Sequence, residues 1–297
     1  MSKSFVSTAS QKENPSNSSP KQTIRSEVMF PCINQATVMP ADTIRFLELA
    51  RKHSFTAVEL DIAKVEECIR RVGLDSLLEK IHESNLRIVS LNAIENYPIL
   101  TQDEMKGSLQ RCEEIINLAR SLNCDIVVVN PSEVKSPEQS NMATRFDELM
   151  NQTGKMAKDH HVRLGFEYVS YDERVIHSLA ESLSGIHRWN HGIGLVLDAF
   201  HMYRSGEKVS DIPSDDASLL WAFHINDAPA SQISVLRDTS RLMPLEGVMN
   251  VCEFIRDLQA LNFNGPISVE LFNEKYWEMD ADSVLAKAKS SLDALGV

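Results

Sequence analysis

From residue 28 onward, short runs of β-branched and other apolar residues alternate eight times with longer stretches of helical spacing. That rhythm is the signature of parallel βα units, and few folds can accommodate it. The strand candidates are residues 29–36, 57–61, 87–92, 125–130, 163–168, 194–198, 221–226 and 266–271. Between them, Leu109, Cys112, Ile116, Ala119 and Leu122 form one stripe, and Phe146, Leu149, Met150, Thr153 and Met156 recur at intervals of three and four, as on a core-facing helix. Eight units in roughly 270 residues match a (β/α)8 TIM barrel, an α/β fold. A doubly wound open sheet announces itself with a glycine-rich turn after its first strand. Residues 35–41 contain no glycine, and the chain has no G-x-G-x-x-G or P-loop pattern.

In a TIM barrel the chemistry sits at the C-terminal ends of the strands. The fifth strand run, Arg163-Leu-Gly-Phe-Glu167, ends in a carboxylate, as does the sixth, Gly194-Leu-Val-Leu-Asp198. The seventh, Trp221-Ala-Phe-His224, ends in an imidazole, and the eighth, Pro266-Ile-Ser-Val-Glu270, in a carboxylate. Parallel strands lie about 4.8 Å apart and their tilt gathers the ends on a common rim, so these four side chains can converge. Three carboxylates and an imidazole form a hard, oxygen-rich set for one divalent metal ion, Mn, Mg or Co, with Zn also acceptable. Without a cation the carboxylates repel one another. Each residue alone has a blander reading, a helix cap for a carboxylate or a satisfied core side chain for the histidine. Four in succession are much harder to explain that way. Asn34, Glu59 and Asn92 fall at or near the ends of the first three strands and are candidates for binding substrate hydroxyls, although asparagine there is also a routine turn residue.

A net charge of −12 repels phosphate backbones and anionic lipid, and no basic cluster exceeds a pair such as Arg70-Arg71. Nucleic acid and membrane partners are therefore not expected. No apolar run approaches the roughly 18 residues needed to cross a bilayer. Cys32, Cys68, Cys112, Cys124 and Cys252 are odd in number and lack a C-x-x-C pair, which argues against a disulfide framework and fits a cytoplasmic setting. Residues 1–27 are rich in Ser, Asn, Gln and Lys and are expected to be a disordered tail ahead of a single barrel domain, 28–297. They lack the apolar stretch of a secretory signal, and their single arginine argues against a transit peptide.

Phe166-Glu167, Leu195-Val-Leu-Asp-Ala-Phe-His201, Phe223-His-Ile-Asn-Asp227 and Ser268-Val-Glu-Leu-Phe272 resemble motifs of the xylose isomerase-like barrel superfamily of sugar isomerases, epimerases and AP endonucleases. Within it the chain looks most like the 2-keto-myo-inositol (inosose) isomerases, through Leu91-Asn-Ala93, Asp238…Arg241-x-x-Pro244-x-x-Gly247 and Glu270-Leu-Phe-x-x-x-Tyr276. The resemblance implies that Glu167, Asp198, His224 and Glu270 hold the metal and that His201 and Arg241 face the substrate. His201 has an alternative reading as partner of a ligand carboxylate, and Arg241 as partner of Asp238 or Glu246. Phe200, Tyr276 and Trp277 either wall the pocket or pack between loops. Two departures lie near the expected pocket. Tyr168-Val-Ser170 stands where members often carry Gly-His, and Pro244-Leu-Glu-Gly247 replaces Pro-Gly-x-Gly.

The implied reaction moves a proton between adjacent carbons through a cis-enediol, with a divalent cation stabilising the developing enediolate. Glu167 and Glu270 are the expected acid/base pair as well as ligands, and a small sugar or inosose is the expected partner. The same ligand set serves ketose 3-epimerases, hydroxypyruvate isomerases and dehydratases. A barrel reduced to non-catalytic sugar binding predicts a missing ligand, and none is missing. An AP endonuclease needs further histidines after the second, third and sixth strands, whereas His53 and His82 precede the second and third. A homo-oligomer is compatible with such a barrel, and nothing in the sequence fixes it.

Overall fold

Because successive strand residues face opposite sides, strands apolar on both faces need cover inside and out. A closed parallel barrel jacketed by helices supplies both. The computed structural model describes residues 28–134, 141–189 and 191–297, so the expected tail, 1–27, lies outside the described residues. The strands are β1 (Phe30–Asn34), β2 (Ala57–Asp61), β3 (Arg87–Ile94), β4 (Ile126–Val129), β5 (Arg163–Glu167), β6 (Gly194–Asp198), β7 (Leu220–Ile225) and β8 (Pro266–Val269). Each is parallel to its neighbours, and β8 pairs back with β1 to close the barrel. All eight predicted strands are present.

Several boundaries differ by one or two residues, and that of the first strand has a clear local reason. The predicted first strand ran to residue 36, but the Asn34 side chain accepts from the Ala36 amide at 2.9 Å and turns the chain into a short 3-10 helix, Gln35–Val38. This is the turn chemistry asparagine favours.

The helices are α1 (Thr43–Lys52), α2 (Ile62–Val72), α3 (Leu74–Ser84), α4 (Gln102–Ser121), α5 (Met142–Asp159), α6 (Leu179–Arg188), α7 (Ala199–Ser205), α8 (Val251–Ala260), α9 (Glu274–Trp277) and α10 (Ala281–Leu295). Side chains satisfy open amides at several N-termini: Asp42 caps α1, Asp61 caps α2, and Thr101 with Glu104 forms a capping box on α4. The predicted stripes face the barrel. Cys112, Ile116 and Ala119 of α4 and Phe146, Leu149, Met150 and Thr153 of α5 are buried. No helix among the described residues is long and apolar enough to cross a membrane.

Inside the barrel, Cys32, Ala57, Val89, Ile126, Val128, Val196 and Ala222 pack as one apolar cluster. Trp221 packs against its edge at the N-terminal end, and Gly194 makes room for it. A Cβ at Gly194 would sit 2.2 Å from the indole ring. Burying such side chains contributes roughly 1.5–3 kcal/mol for each aliphatic residue and gives the mouth a rigid floor.

Candidate metal centre and substrate cavity

Two-residue alternation carries the inward face of each strand from this floor to the mouth. Gly165 leads to Glu167, Val196 to Asp198, Ala222 to His224 and Ser268 to Glu270. One ligand atom from each of Glu167, Asp198, His224 and Glu270 lies within 4.8 Å of the others, and all four residues are buried. The four residues expected to hold the metal are thus gathered at one point. Their donor set fits a divalent cation of the expected kind.

Protein groups balance the carboxylates. His224 Nδ1 lies 2.8 Å from Glu167 Oε1 and 3.3 Å from Glu270 Oε2. Arg241 Nη1 lies 2.6 Å from Glu270 Oε2 and 3.0 Å from Asp198 Oδ2. Burial opposes a charged imidazole, but Glu270, Glu59 and Glu167 outweigh it and hold the His224 pKa well above the ordinary imidazole range. Burial also works against ionised Glu270, yet His224 and Arg241 hold its pKa at about 2. At Asp198 burial wins over Arg241 and His201 and raises the pKa. Opposed shifts among neighbouring groups in one pocket are typical of functional sites.

Neutral donors fix the ligands. Asn130 Nδ2 donates to Glu167 Oε2 at 3.0 Å, and Asn226 Nδ2 donates to Asp198 Oδ2 at 2.8 Å. Asn34 Nδ2 donates to Glu270 Oε1 at 2.8 Å and to Glu59 Oε2 at 3.2 Å. Asn130 and Asn226 were not singled out from the sequence. The signal was present, because each lies two residues beyond an inward position, Val128 and His224.

The cavity over the cluster measures about 300 Å³ and is lined by Asn34, Asn92, Glu167, His201, Arg241 and Glu270 among others. Asn92 sits where a hydroxyl-binding group was expected: its Oδ1 accepts from Ser90 Oγ, and its Nδ2 has no partner. Asn34 lines the cavity too, but its amide hydrogens already serve two carboxylates. Glu59 departs from the expected rim position. β2 continues two residues past it to Asp61, so Glu59 is fully buried within the barrel, against His224, Ser90 and Asn34. A larger cleft of about 540 Å³, between the β3–α4 segment and α4, does not touch the four-residue cluster.

His201 and Arg241 form the remaining wall. Burial lowers the His201 pKa against the pull of Asp238 and Asp198. Its Nδ1 lies 3.2 Å from Ser170 Oγ, one of the residues in the Tyr168-Val-Ser170 departure. Arg241 pairs with Asp238 at 2.7 Å and lies over the rings of Phe200 and Phe272. Its other expected partner, Glu246, is instead held by Tyr276 and Lys287. Tyr276 and Trp277 pack between loops, Tyr276 accepting from the Met243 amide and Trp277 donating to Ala36 O.

The segment carrying Asp238 and Arg241 is anchored by Asp227, which accepts from the amides of Ala228, Gly247 and Met249. A Cβ at Gly247 would lie 2.1 Å from Ala228 O. Glycine there is a condition of the loop's shape.

Residues 47–295 match the family model described as xylose isomerase-like TIM barrel. The inosose isomerase of Halalkalibacterium halodurans is 24% identical over 266 residues, covering 88% of this chain and 94% of that protein. The inosose isomerase of Bacillus velezensis is 23% identical over 271 residues, covering 89% and 96%. Among solved structures, the IOLI protein with a bound zinc atom aligns with a TM-score of 0.84 at 21% identity, over 90% of this chain and 98% of that one.

Proposed function

The chain belongs to the xylose isomerase-like TIM-barrel family, and from that premise we propose that it is a divalent-metal-dependent isomerase acting on an inosose, 2-keto-myo-inositol. The observation that carries the reading is the buried convergence of Glu167, Asp198, His224 and Glu270. The relatives named inosose isomerase span nearly the whole barrel and support the substrate. At about 300 Å³, the cavity lies at the small end of ligand pockets and suits a single polyol ring.

A bound cation supplies Lewis-acid stabilisation of the negative charge that develops on a substrate oxygen when the adjacent C–H is deprotonated. The chain's own residues do the rest. Glu167 and Glu270 flank the cluster, with Asp198 and His224 on the strands between them. One glutamate takes the proton from the carbon beside the carbonyl. The other returns a proton to the neighbouring carbon, while the hydroxyl proton passes to the former carbonyl oxygen, so the atoms balance. Asn130 aims the Glu167 carboxylate, and Asn34 with Arg241 aims that of Glu270. The unpartnered amide of Asn92 orients a substrate hydroxyl, and His201, whose Nε2 lies 3.1 Å from Arg241 Nη2, steadies that guanidinium at the cavity wall.

The test is to incubate manganese-loaded protein with 2-keto-myo-inositol in deuterated water and follow the products by NMR. The reading predicts deuterium at the carbon beside the carbonyl and formation of an isomeric inosose. Epimerised ketoses from a substrate panel, or loss of water, would move the chain to another branch of its family. No exchange with any α-hydroxy ketone would contradict the assignment.

A further inference from the structure

Glu59 is the buried carboxylate beside the cluster that the proton transfer does not use. It sits at the third position of β2, in register with Asn34 of β1 and Ser90 of β3. Its exposure is 0%. Burying a carboxylate is costly unless it is paired, so its partners indicate its role. Ser90 Oγ donates to Oε1 at 2.8 Å and Asn34 Nδ2 to Oε2 at 3.2 Å. A further contact is His224 Nε2, 3.3 Å from Oε1 and 3.2 Å from Oε2.

The two nitrogens of His224 therefore face different groups. Nδ1 looks toward Glu167 and Glu270, while Nε2 looks toward Glu59. A cation would take the place of one of the two imidazole protons, and the nitrogen offered to it must be the bare one. We propose that Glu59 is a positioning residue for the metal: it accepts the Nε2–H of His224 with a carboxylate held by Ser90 and Asn34, leaving Nδ1 bare and aimed at the cation. Asn34 extends the effect, since its two amide hydrogens tie Glu59 to Glu270. One buried carboxylate on β2 thus sets the geometry of ligands on β7 and beyond β8. This rests on the reading of Glu167, Asp198, His224 and Glu270 as the ligand set.

The experiment compares manganese binding by calorimetry for the wild-type protein and Glu59→Gln. The proposal predicts one cation per wild-type chain and an affinity roughly 10–100-fold weaker in the variant, the usual effect of losing such a partner. Ser90→Ala, which keeps the carboxylate and its contact with Nε2, should lose less. Folded Glu59→Gln with wild-type affinity would overturn the role of Glu59 and leave the ligand set standing. A wild-type chain that binds no cation would overturn the ligand set itself. If Glu59→Gln fails to fold, nitrogen NMR of histidine-labelled, zinc-loaded wild-type protein decides. A proton on Nε2 of His224 with zinc on Nδ1 supports the proposal, and the reverse tautomer overturns it.

Discussion

Two halves of the barrel mouth share one strand geometry and end differently. From β5 to β8, the inward positions at the mouth carry Glu167, Asp198, His224 and Glu270. From β1 to β4 the polar inward groups are Asn34, Glu59, Ser90, Asn92 and Asn130. The first half concentrates negative charge around one point. The second supplies donors that hold it, Asn130 to Glu167 and Asn34 to Glu270, while Ser90 holds Glu59 against His224. Ligation is thus confined to one side of the ring, while bracing comes from both, with Asn226 and Arg241 holding Asp198 and Glu270 from the ligating side. Substitutions in the two halves should differ in size as well as in kind.

The largest expected effect lies in the ligating half. Glu270→Gln keeps the shape of the side chain but removes its charge and basicity, and should lower kcat by about 10²–10⁴-fold while circular dichroism shows an intact barrel. Unaltered turnover would sink its role. Asp198→Asn should cost the bound cation, read as metal content after gel filtration, because a neutral amide replaces an anionic donor. Metal removal comes next. At a cation concentration of about 100 times Kd the ion stabilises the fold by roughly 2.7 kcal/mol, so a chelator should lower Tm, and manganese should restore it.

In the bracing half, Asn130→Ala removes one hydrogen bond to a charged group, worth about 1.5–3 kcal/mol, and kcat should fall by roughly 10–100-fold with the cation retained. Asn92→Ala should be the mildest. It should raise KM a few-fold, as expected for about 0.5–1.5 kcal/mol of neutral hydrogen bonding. Equal losses in both halves would erase the distinction.

Much of this was legible in the chain, and the exceptions have physical causes. All eight strands follow from hydrophobic runs, and the four ligand candidates from polar residues that end them. Asp61 also ends such a run, yet its carboxylate accepts from the Lys64 amide and caps α2. Asp198 does both: Oδ1 accepts from the His201 amide while Oδ2 faces Arg241 and Asn226 within the cluster. Cap and ligand are not exclusive readings, and sequence position alone does not separate Asp61 from Asp198. Glu59 was misplaced because the depth of a side chain depends on how far its strand continues and on the register of its neighbours. β2 has an irregular pairing with β3 between Val58 and Glu59. Arg241 lies in an irregular segment between β7 and α8, where no periodicity operates. Only the family resemblance pointed to it, and its position depends on long-range bonds such as those from the Gly247 and Met249 amides to Asp227.

The claim that Glu167, Asp198, His224 and Glu270 jointly hold one catalytic cation is tested most directly by anomalous X-ray diffraction from crystals soaked in manganese. The account predicts a single strong peak at the mouth of the barrel, in bonding contact with a carboxylate oxygen of Glu167, Asp198 and Glu270 and with Nδ1 of His224. A peak elsewhere, or none among these four side chains at saturating manganese, would contradict it.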